Sequence, residues 1–306
     1  MTGRRFCVCV PARDEAARLP VLLDALAAQT VPGPIAVALC LNNCADDSVA
    51  IVADAAARHT ARLDIRIDEC VLEPAVAHAG TARARAMDAG LGIVDPRGAL
   101  ISTDADCRPP PGWIAANLSA MEAGADIVGG MIVLDDADAV PFAMTAMRAR
   151  YDRYWATVRA IEDAIDPPPH DPAPRHGDHT GASLAIVASL YRAVGGVPAL
   201  ACGEDRALVI AAVAAGGRLT HPTAVWTRVS ARVDGRAAGG MATAMAALER
   251  AIAAGEEPRV AAYDHWRARA EWRRDERARA GTAAMLARER RLAPMPLDMP
   301  LPGPGA

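Results

Sequence analysis

Apolar residues fall in short runs separated by polar, proline-rich and glycine-rich connections, and two spacings alternate along the first hundred positions. Residues 5–10, RFCVCV, form a run of strand character that Pro11 ends; Leu19, Leu22, Leu23 and Leu26 then recur at helical spacing. The order strand, loop, helix repeats. IAVALCL at 35–41 predicts a second strand, and NNCADDS, whose Asp46 and Asp47 suit a helix N-terminus, leads into the helical VAIVADAAARH. RLDIRID at 62–68 alternates like a strand near a sheet edge, GTARARAMDAGLGIV reads as a helix, and GALIST at 98–103 as a further strand.

The second half is less regular. GADIVGGMIVL at 124–134 predicts one strand, and 138–163 a helix carrying Tyr151, Tyr154 and Trp155. Residues 164–180, rich in proline and histidine, suit neither helix nor strand and read as a mobile or substrate-covering loop. GASLAIV, a helix from about 188, the helical EDRALVIAAVAA and a strand ending in AVWTRVS follow. From 240 to 290 the chain is alanine- and arginine-rich and helical, and the proline-rich tail from Pro294 predicts no fixed structure.

Strands alternating with helices predict an α/β fold, a Rossmann-like and mostly parallel sheet with helices on both faces, plus a C-terminal helical extension. In such sheets ligands sit beyond the carboxyl ends of the strands. Polar clusters fall at those ends: Arg13, Asp14 and Glu15 after the first strand, Asn42 and Asn43 after the second, Asp104 and Asp106 after GALIST.

Composition narrows the classes. The formal net charge of −4 gives no electrostatic case for nucleic acid, and every basic residue among the 33 is arginine. Seven scattered cysteines suggest no disulfide framework and favour a cytoplasmic setting, with Cys7 and Cys9 expected as small core residues. No apolar run reaches the roughly 18 residues of a membrane span. For the arginine-rich C-terminal helices, solvated faces, self-association and peripheral adhesion to anionic lipid all remain open.

Two carboxylate pairs carry the candidate chemistry. Asp104 and Asp106 can present oxygens to one hard cation, Mg²⁺ or Mn²⁺, which commonly takes one or two carboxylates while phosphates complete its shell. Glu204 and Asp205 open a helix, where negative charge is favourable in any case.

The ordered motifs VPARDEAARLPVLLDAL, LNNCADDS, GTARARAMDAGL, STDADCRPPPGW, GASLAIVASLYRAVGG and GEDRALVIAAVAAGGRLTH resemble the family 2 glycosyltransferases of the GT-A fold, over roughly residues 5–228. The resemblance implies a GT-A domain over 1–235, with a nucleotide-binding half (1–106) and an acceptor half (107–235), then a helical extension (236–292) and a tail (293–306). It implies an inverting transfer from a nucleotide-diphosphate sugar (UDP, GDP or dTDP) to an acceptor hydroxyl, assisted by Mn²⁺ or Mg²⁺. Pro11, Ala12, Arg13 and Glu15 with Asn42 and Asn43 would hold base and ribose, and Arg83 would lie near the nucleotide. Asp104 would contact ribose or donor sugar and, with Asp106, serve the metal. Asp205 would be the general base and Glu204 its helper. His179, Gly181, Ala182 and Ser183 would line the acceptor pocket, and Gly181 would permit close backbone approach to a sugar.

One departure stands out. The family often places a histidine on the strand after the ED helix, where this chain has Thr227 and Arg228; either water fills the metal shell, or Arg228 and Arg232 take part of the diphosphate charge. GRAAGGM at 235–241 reads as a flexible flap. Among other classes, a sugar-phosphate nucleotidyltransferase would need a glycine-rich basic loop where PARDEAARLP stands. A dinucleotide-dependent dehydrogenase would need Gly-x-Gly-x-x-Gly. A non-catalytic nucleotide-sugar-binding protein is the remaining alternative.

Overall fold

The structure is a computed structural model that describes residues 4–232, 235 and 239–303. The chain runs β1 (Arg4–Ala12), α1 (Leu19–Ala27), β2 (Ile35–Asn42), α2 (Ser48–Arg58), β3 (Leu63–Cys70), α3 (Ala79–Leu91), β4 (Val94–Ser102), β5 (Cys107–Arg108), α4 (Trp113–Glu122), β6 (Ile127–Gly129) and β7 (Met131–Leu134). It continues through α5 (Phe142–Ile165), β8 (Leu184–Val187), α6 (Ala188–Ala193), α7 (Glu204–Ala214), β9 (Leu219–Thr220), β10 (Trp226–Val229), α8 (Met241–Ala253), β11 (Arg259–Val260), α9 (Tyr263–Ala280), α10 (Thr282–Glu289) and β12 (Met299–Pro300).

The main sheet has the order β3-β2-β1-β4-β8-β6-β9. Its first four strands are mutually parallel, β8 runs antiparallel to both β4 and β6, and β9 is parallel to β6. As expected, β3 is at an edge. A second sheet, β5-β10-β7, stands beside the carboxyl end of β4.

Side-chain alternation along β1 feeds two layers. Val8 and Val10 join Leu19, Leu22, Leu23 and Leu26 of α1 with Val52, Trp113 and Ile114 on one face. Cys7 and Cys9 join Ala36, Ala38, Ala82, Ala86 and Met87 on the other. That second face is built from small residues, so α3 lies close upon it. At Gly90 a Cβ would come within 2.7 Å of Cys9 Sγ. Cys7 and Cys9 are thus packing residues, as the sequence predicts.

Two local features differ from the sequence reading. The strand expected across 124–134 is two strands in two sheets, separated at Gly129 and Gly130. A Cβ on Gly130 would fall 1.9 Å from Ser183 Oγ, so only glycine lets the chain cross there. Helix α4 was not evident from spacing, because Pro109, Pro110 and Pro111 precede it and few of its residues are apolar and buried. Gln29 supplies what its N-terminus lacks, accepting from Ile114 N–H at 2.9 Å and donating to Pro110 O at 2.8 Å.

The chain forms two compact units, one of 1–138 with 176–243 and one of 139–175 with 244–306, so α5 belongs with the C-terminal helices and not with an acceptor half. In the second unit Tyr154, Val158, Val260 and Leu301 form a small core, with Tyr154 Oη donating to Ala261 O at 2.8 Å. The tail expected to lack structure is instead paired: β12 runs antiparallel to β11, and Leu301 N–H donates to Pro258 O at 2.7 Å. An apolar residue with a core to enter, Leu301 here, outweighs the proline-rich composition around it. The loop over 164–180 is indeed neither helix nor strand over most of its length, and Arg175 ties it to α5 through Asp163 at 2.7 Å. The flap read at 235–241 lies largely outside the described residues. Among those described, no helix is long and apolar enough to cross a membrane.

Candidate active site

Strands β1, β2 and β4 deliver their polar successors to one rim, because parallel neighbours in register end together: Cys9 pairs with Ser102 and Ala12 with Leu41. Beyond Ser102 the chain turns at once. Thr103 N–H donates to Cys9 O, and Cys107 N–H to Asp104 O at 3.1 Å, which places Asp104 and Asp106 on a tight turn before β5 pairs with β10.

Arg83, buried in α3, organises this turn. Its Nε donates to Glu204 Oε1 at 2.9 Å, Nη1 to Ser102 Oγ at 2.7 Å and Gly181 O at 3.1 Å, and Nη2 to Asp104 Oδ1 at 2.8 Å. Burial opposes the guanidinium's charge, yet Asp104 and Glu204 outweigh it and raise its pKa above the ordinary value. The two carboxylate motifs, a hundred positions apart in sequence, are therefore two arms of one cationic centre. Arg83 is enclosed by protein groups, 4% exposed.

Asp205 sits beside it. Its Oδ2 accepts from Gly181 N–H and its Oδ1 from Arg206 N–H, both at 2.7 Å. Gly203, at φ 76°, makes the left-handed turn that starts α7 and buries Glu204. The requirement for glycine at 181 differs from the one expected. A Cβ there would lie 2.3 Å from Arg83 Cζ, so the close approach is made by the guanidinium.

Asp106 belongs to a second ionic cluster. Arg232 approaches its Oδ2 at 3.0 Å, and the same guanidinium grips buried Glu15 with Nη1 to Oε2 at 2.8 Å and Nη2 to Oε1. Burial first, then the negative charges of Asp104 and Glu15, push the Asp106 carboxyl up to about 6 against the opposing effect of Arg232. Arg228, the other expected diphosphate contact, instead pairs with Asp136 at 3.2 Å and lies over the Trp226 ring at 4.8 Å.

The first two loops brace each other through their own polar groups. Asp14 and Asn43 have φ of 51° and 50°, conformations that Asp and Asn tolerate better than most residues. Asp14 Oδ1 accepts from Ala45 N–H at 2.7 Å, and Asp46 Oδ2 from Ala16 N–H at 2.9 Å. Asn43 spends its amide on Leu72, donating to its O at 2.9 Å and accepting from its N–H at 3.0 Å. Asn42 is fully enclosed, as are Pro11 and Ala12, and Arg13 reaches Ala77 O at 3.2 Å. Asn43 and Arg13 thus brace the loops of this rim through protein partners.

On the expected acceptor side, Ala182 and Ser183 are core residues, and Trp113 Nε1 donates to Ser183 Oγ at 2.8 Å. His179 lies 3.1 Å from His221 Nε2 through Nδ1; burial and then His221 lower its pKa, with Asp205 and Asp178 opposing. His221, Ser102 and Asp138 were not read as site residues. Asp138 accepts from Ser230 Oγ and Ala231 N–H at 3.0 Å and from Arg18 Nη1 at 2.9 Å, fixing the segment that carries Arg232. No pattern in the sequence marks it, since its partners are 92 and 120 positions away.

For a divalent cation the donor set fits in part. Oxygens of Asp104 and Asp106 lie within 4.8 Å of each other and of Cys107 Sγ. Two carboxylates suit Mg²⁺ or Mn²⁺, whereas the buried Cys107 thiol, its pKa raised by burial, is no ligand for a hard ion. Charge also favours a cation, because four carboxylates, Asp104, Asp106, Glu15 and Glu204, gather on the two guanidinium groups of Arg83 and Arg232.

The fold has many solved counterparts. A mannosyltransferase from Pyrobaculum calidifontis, solved with GDP-Man and Mn²⁺, superposes with TM-score 0.52 at 18% identity, covering 96% of this chain and 81% of that one. Staphylococcus aureus TarS 1–349 with UDP-GlcNAc gives TM-score 0.50 at 15% identity, covering 82% of this chain and 66% of that one. The chain spans 61% of another TarS 1–349 structure and 37% of a further TarS structure. No curated protein sequence matches the chain. The family model described as glycosyl transferase family 2 matches residues 7–161, a stretch that contains Glu15, Arg83, Asp104 and Asp106. The chain is a member of glycosyl transferase family 2.

Proposed function

We propose that the protein transfers a sugar from a nucleotide-diphosphate donor to an acceptor hydroxyl with inversion, aided by a divalent cation. The observation that carries this reading is Arg83, whose single guanidinium joins Asp104 of the donor rim to Glu204 of the acceptor-side pair at 2.8 and 2.9 Å. Donor and acceptor chemistry then share one site.

In this reading Asp205 takes the acceptor hydroxyl proton as that oxygen bonds to the anomeric carbon, and the bond from that carbon to the diphosphate oxygen breaks. The Gly181 N–H fixes the orientation of Asp205, with Oδ2 as its acceptor. Glu204 is a positioning residue, since its buried carboxylate is engaged by Arg83. Asp104 and Asp106 would hold the cation, which when bound neutralises charge on the departing diphosphate. Backbone of 11–15 and the Asn43 loop would form the nucleotide-facing wall. The Pyrobaculum relative, with its GDP-Man and Mn²⁺, supports a nucleotide sugar and a divalent ion as the ligands to try first. The seven free thiols support a reducing, cytoplasmic setting.

A second reading, binding without turnover, is favoured by Thr227 and Arg228 standing where the family often places a histidine, and by Arg232 standing on Asp106. One experiment separates the two. UDP-, GDP- and dTDP-sugars are screened with and without Mn²⁺ for thermal stabilisation and for release of nucleoside diphosphate. Release that disappears in Asp106→Asn supports transfer; stabilisation with no release under any acceptor supports binding alone.

A further inference from the structure

We infer that Arg232 is a built-in counter-ion of the diphosphate site: it occupies the Glu15 and Asp106 carboxylates in the donor-free protein and exchanges them for phosphate oxygens when a cation-bound nucleoside diphosphate enters. The inference rests on the functional reading above and deepens it, making Arg232 a positioning residue for the donor.

The geometry has two parts, an anchored backbone and a side chain on the carboxylates. Ser230 Oγ and Ala231 N–H are both held by Asp138 Oδ2 at 3.0 Å, and Arg18 holds the other oxygen of Asp138 at 2.9 Å. The main chain leading to residue 232 is therefore fixed to the start of α1. From there the guanidinium forks onto both oxygens of Glu15 and reaches Asp106 Oδ2 at 3.0 Å. Glu15 is itself fixed, its N–H on Ser48 Oγ at 2.9 Å and its O accepting from the N–H groups of Arg18 and Leu19.

An oxygen of Asp106 engaged by a guanidinium is a poor ligand for a dication, since the two cations compete for the same lone pairs and repel each other. A planar fork also matches phosphate as well as it matches carboxylate. Entry of a diphosphate with its cation thus gives Arg232 a new partner while Asp106 gains the metal. Such an exchange leaves the net charge of the rim nearly unchanged, because the cation offsets the diphosphate, and an arginine on a long flexible stem can follow it where a histidine on a strand cannot.

The test measures Mn²⁺ binding to the whole protein by the loss of the free-ion electron spin resonance signal, without nucleotide and with UDP or GDP. Arg232→Gln is expected to bind Mn²⁺ alone about tenfold more tightly and UDP or GDP with Mn²⁺ about tenfold more weakly. Arg232→Lys, which keeps the charge but not the fork, is expected to shift both in the same directions by about threefold, and serves if the glutamine variant does not fold. Unchanged or weaker binding of Mn²⁺ alone in the variants overturns the exchange. If Mn²⁺ binding tightens as expected but no nucleotide binds the wild type, the competition stands and the nucleotide-sugar reading falls. If nucleotides bind wild type and variants alike and Mn²⁺ affinity does not move, the reverse holds.

Discussion

The backbone N–H of Gly181 donates to Asp205 Oδ2 at 2.7 Å, and the same glycine's carbonyl accepts from Arg83 Nη1 at 3.1 Å. One residue therefore couples the orientation of the proposed base to the cation that steadies both carboxylate motifs. A carboxylate held by a peptide N–H keeps one fixed direction without needing another side chain.

Asp205→Asn should retain the fold, because the amide oxygen can still accept from Gly181. Turnover should fall by about 10²–10⁴, the usual worth of a positioned base. Nucleoside diphosphate release, alongside a melting curve matching wild type within a few degrees, checks this; near-normal release would exclude Asp205 as base.

Gly181→Ala should be far more damaging to stability than an exposed glycine replacement. Its Cβ would stand 2.3 Å from Arg83 Cζ, so the guanidinium must leave Glu204 or Asp104. Disturbing a buried ion network costs about 3–5 kcal/mol. Urea unfolding of the variant is the measurement, and a midpoint close to wild type would contradict the packing described.

Arg83→Met should expose the other side of the same network. Glu204, with its side chain 6% exposed, would be left buried without its cation. A loss of about 3–5 kcal/mol is expected at pH 7. The urea midpoint at that pH is the measurement, and a value close to wild type would contradict the network described.

Asp106 sets a pH dependence whose sign is opposite to that of an ordinary paired carboxylate. Its pKa of about 6 lies above the unfolded value near ~3.9, so its protonation contributes stability that is fully present below the unfolded value and is lost as pH rises through about 6. A divalent cation competes with that proton. The rise in Tm produced by Mn²⁺ should therefore grow between pH 5 and 7.5 and be absent in Asp106→Asn, as thermal melts at several pH values would reveal.

Leu301→Ala should destabilise the second unit. Leu301 is 1% exposed among Tyr154, Val158 and Val260, and a Leu-to-Ala cavity costs about 2–5 kcal/mol. Asp298 adds to the anchoring, accepting from Ala262 N–H at 3.1 Å and pairing with His265 at 2.7 Å. Protease sensitivity of the C-terminal region, higher in the variant, reads the effect; equal resistance would mean the tail contributes nothing.

The alternation of strands and helices through β4 was legible from the sequence, because each element buries a face and burial imposes a local period on the residues: Leu19, Leu22, Leu23 and Leu26 for α1, the all-apolar run of β2. The two carboxylate pairs were legible too, as strand-end and helix-start features. What the sequence could not specify is which charges meet. Arg232 finds Glu15 across 217 positions and Arg83 finds Glu204 across 121, and such pairings follow from how layers stack, leaving no trace in any local period. The same holds for the tail, whose order depends on a core formed by α5 and α9, and for Gly181, whose need to be glycine arises only when a buried guanidinium is laid against it.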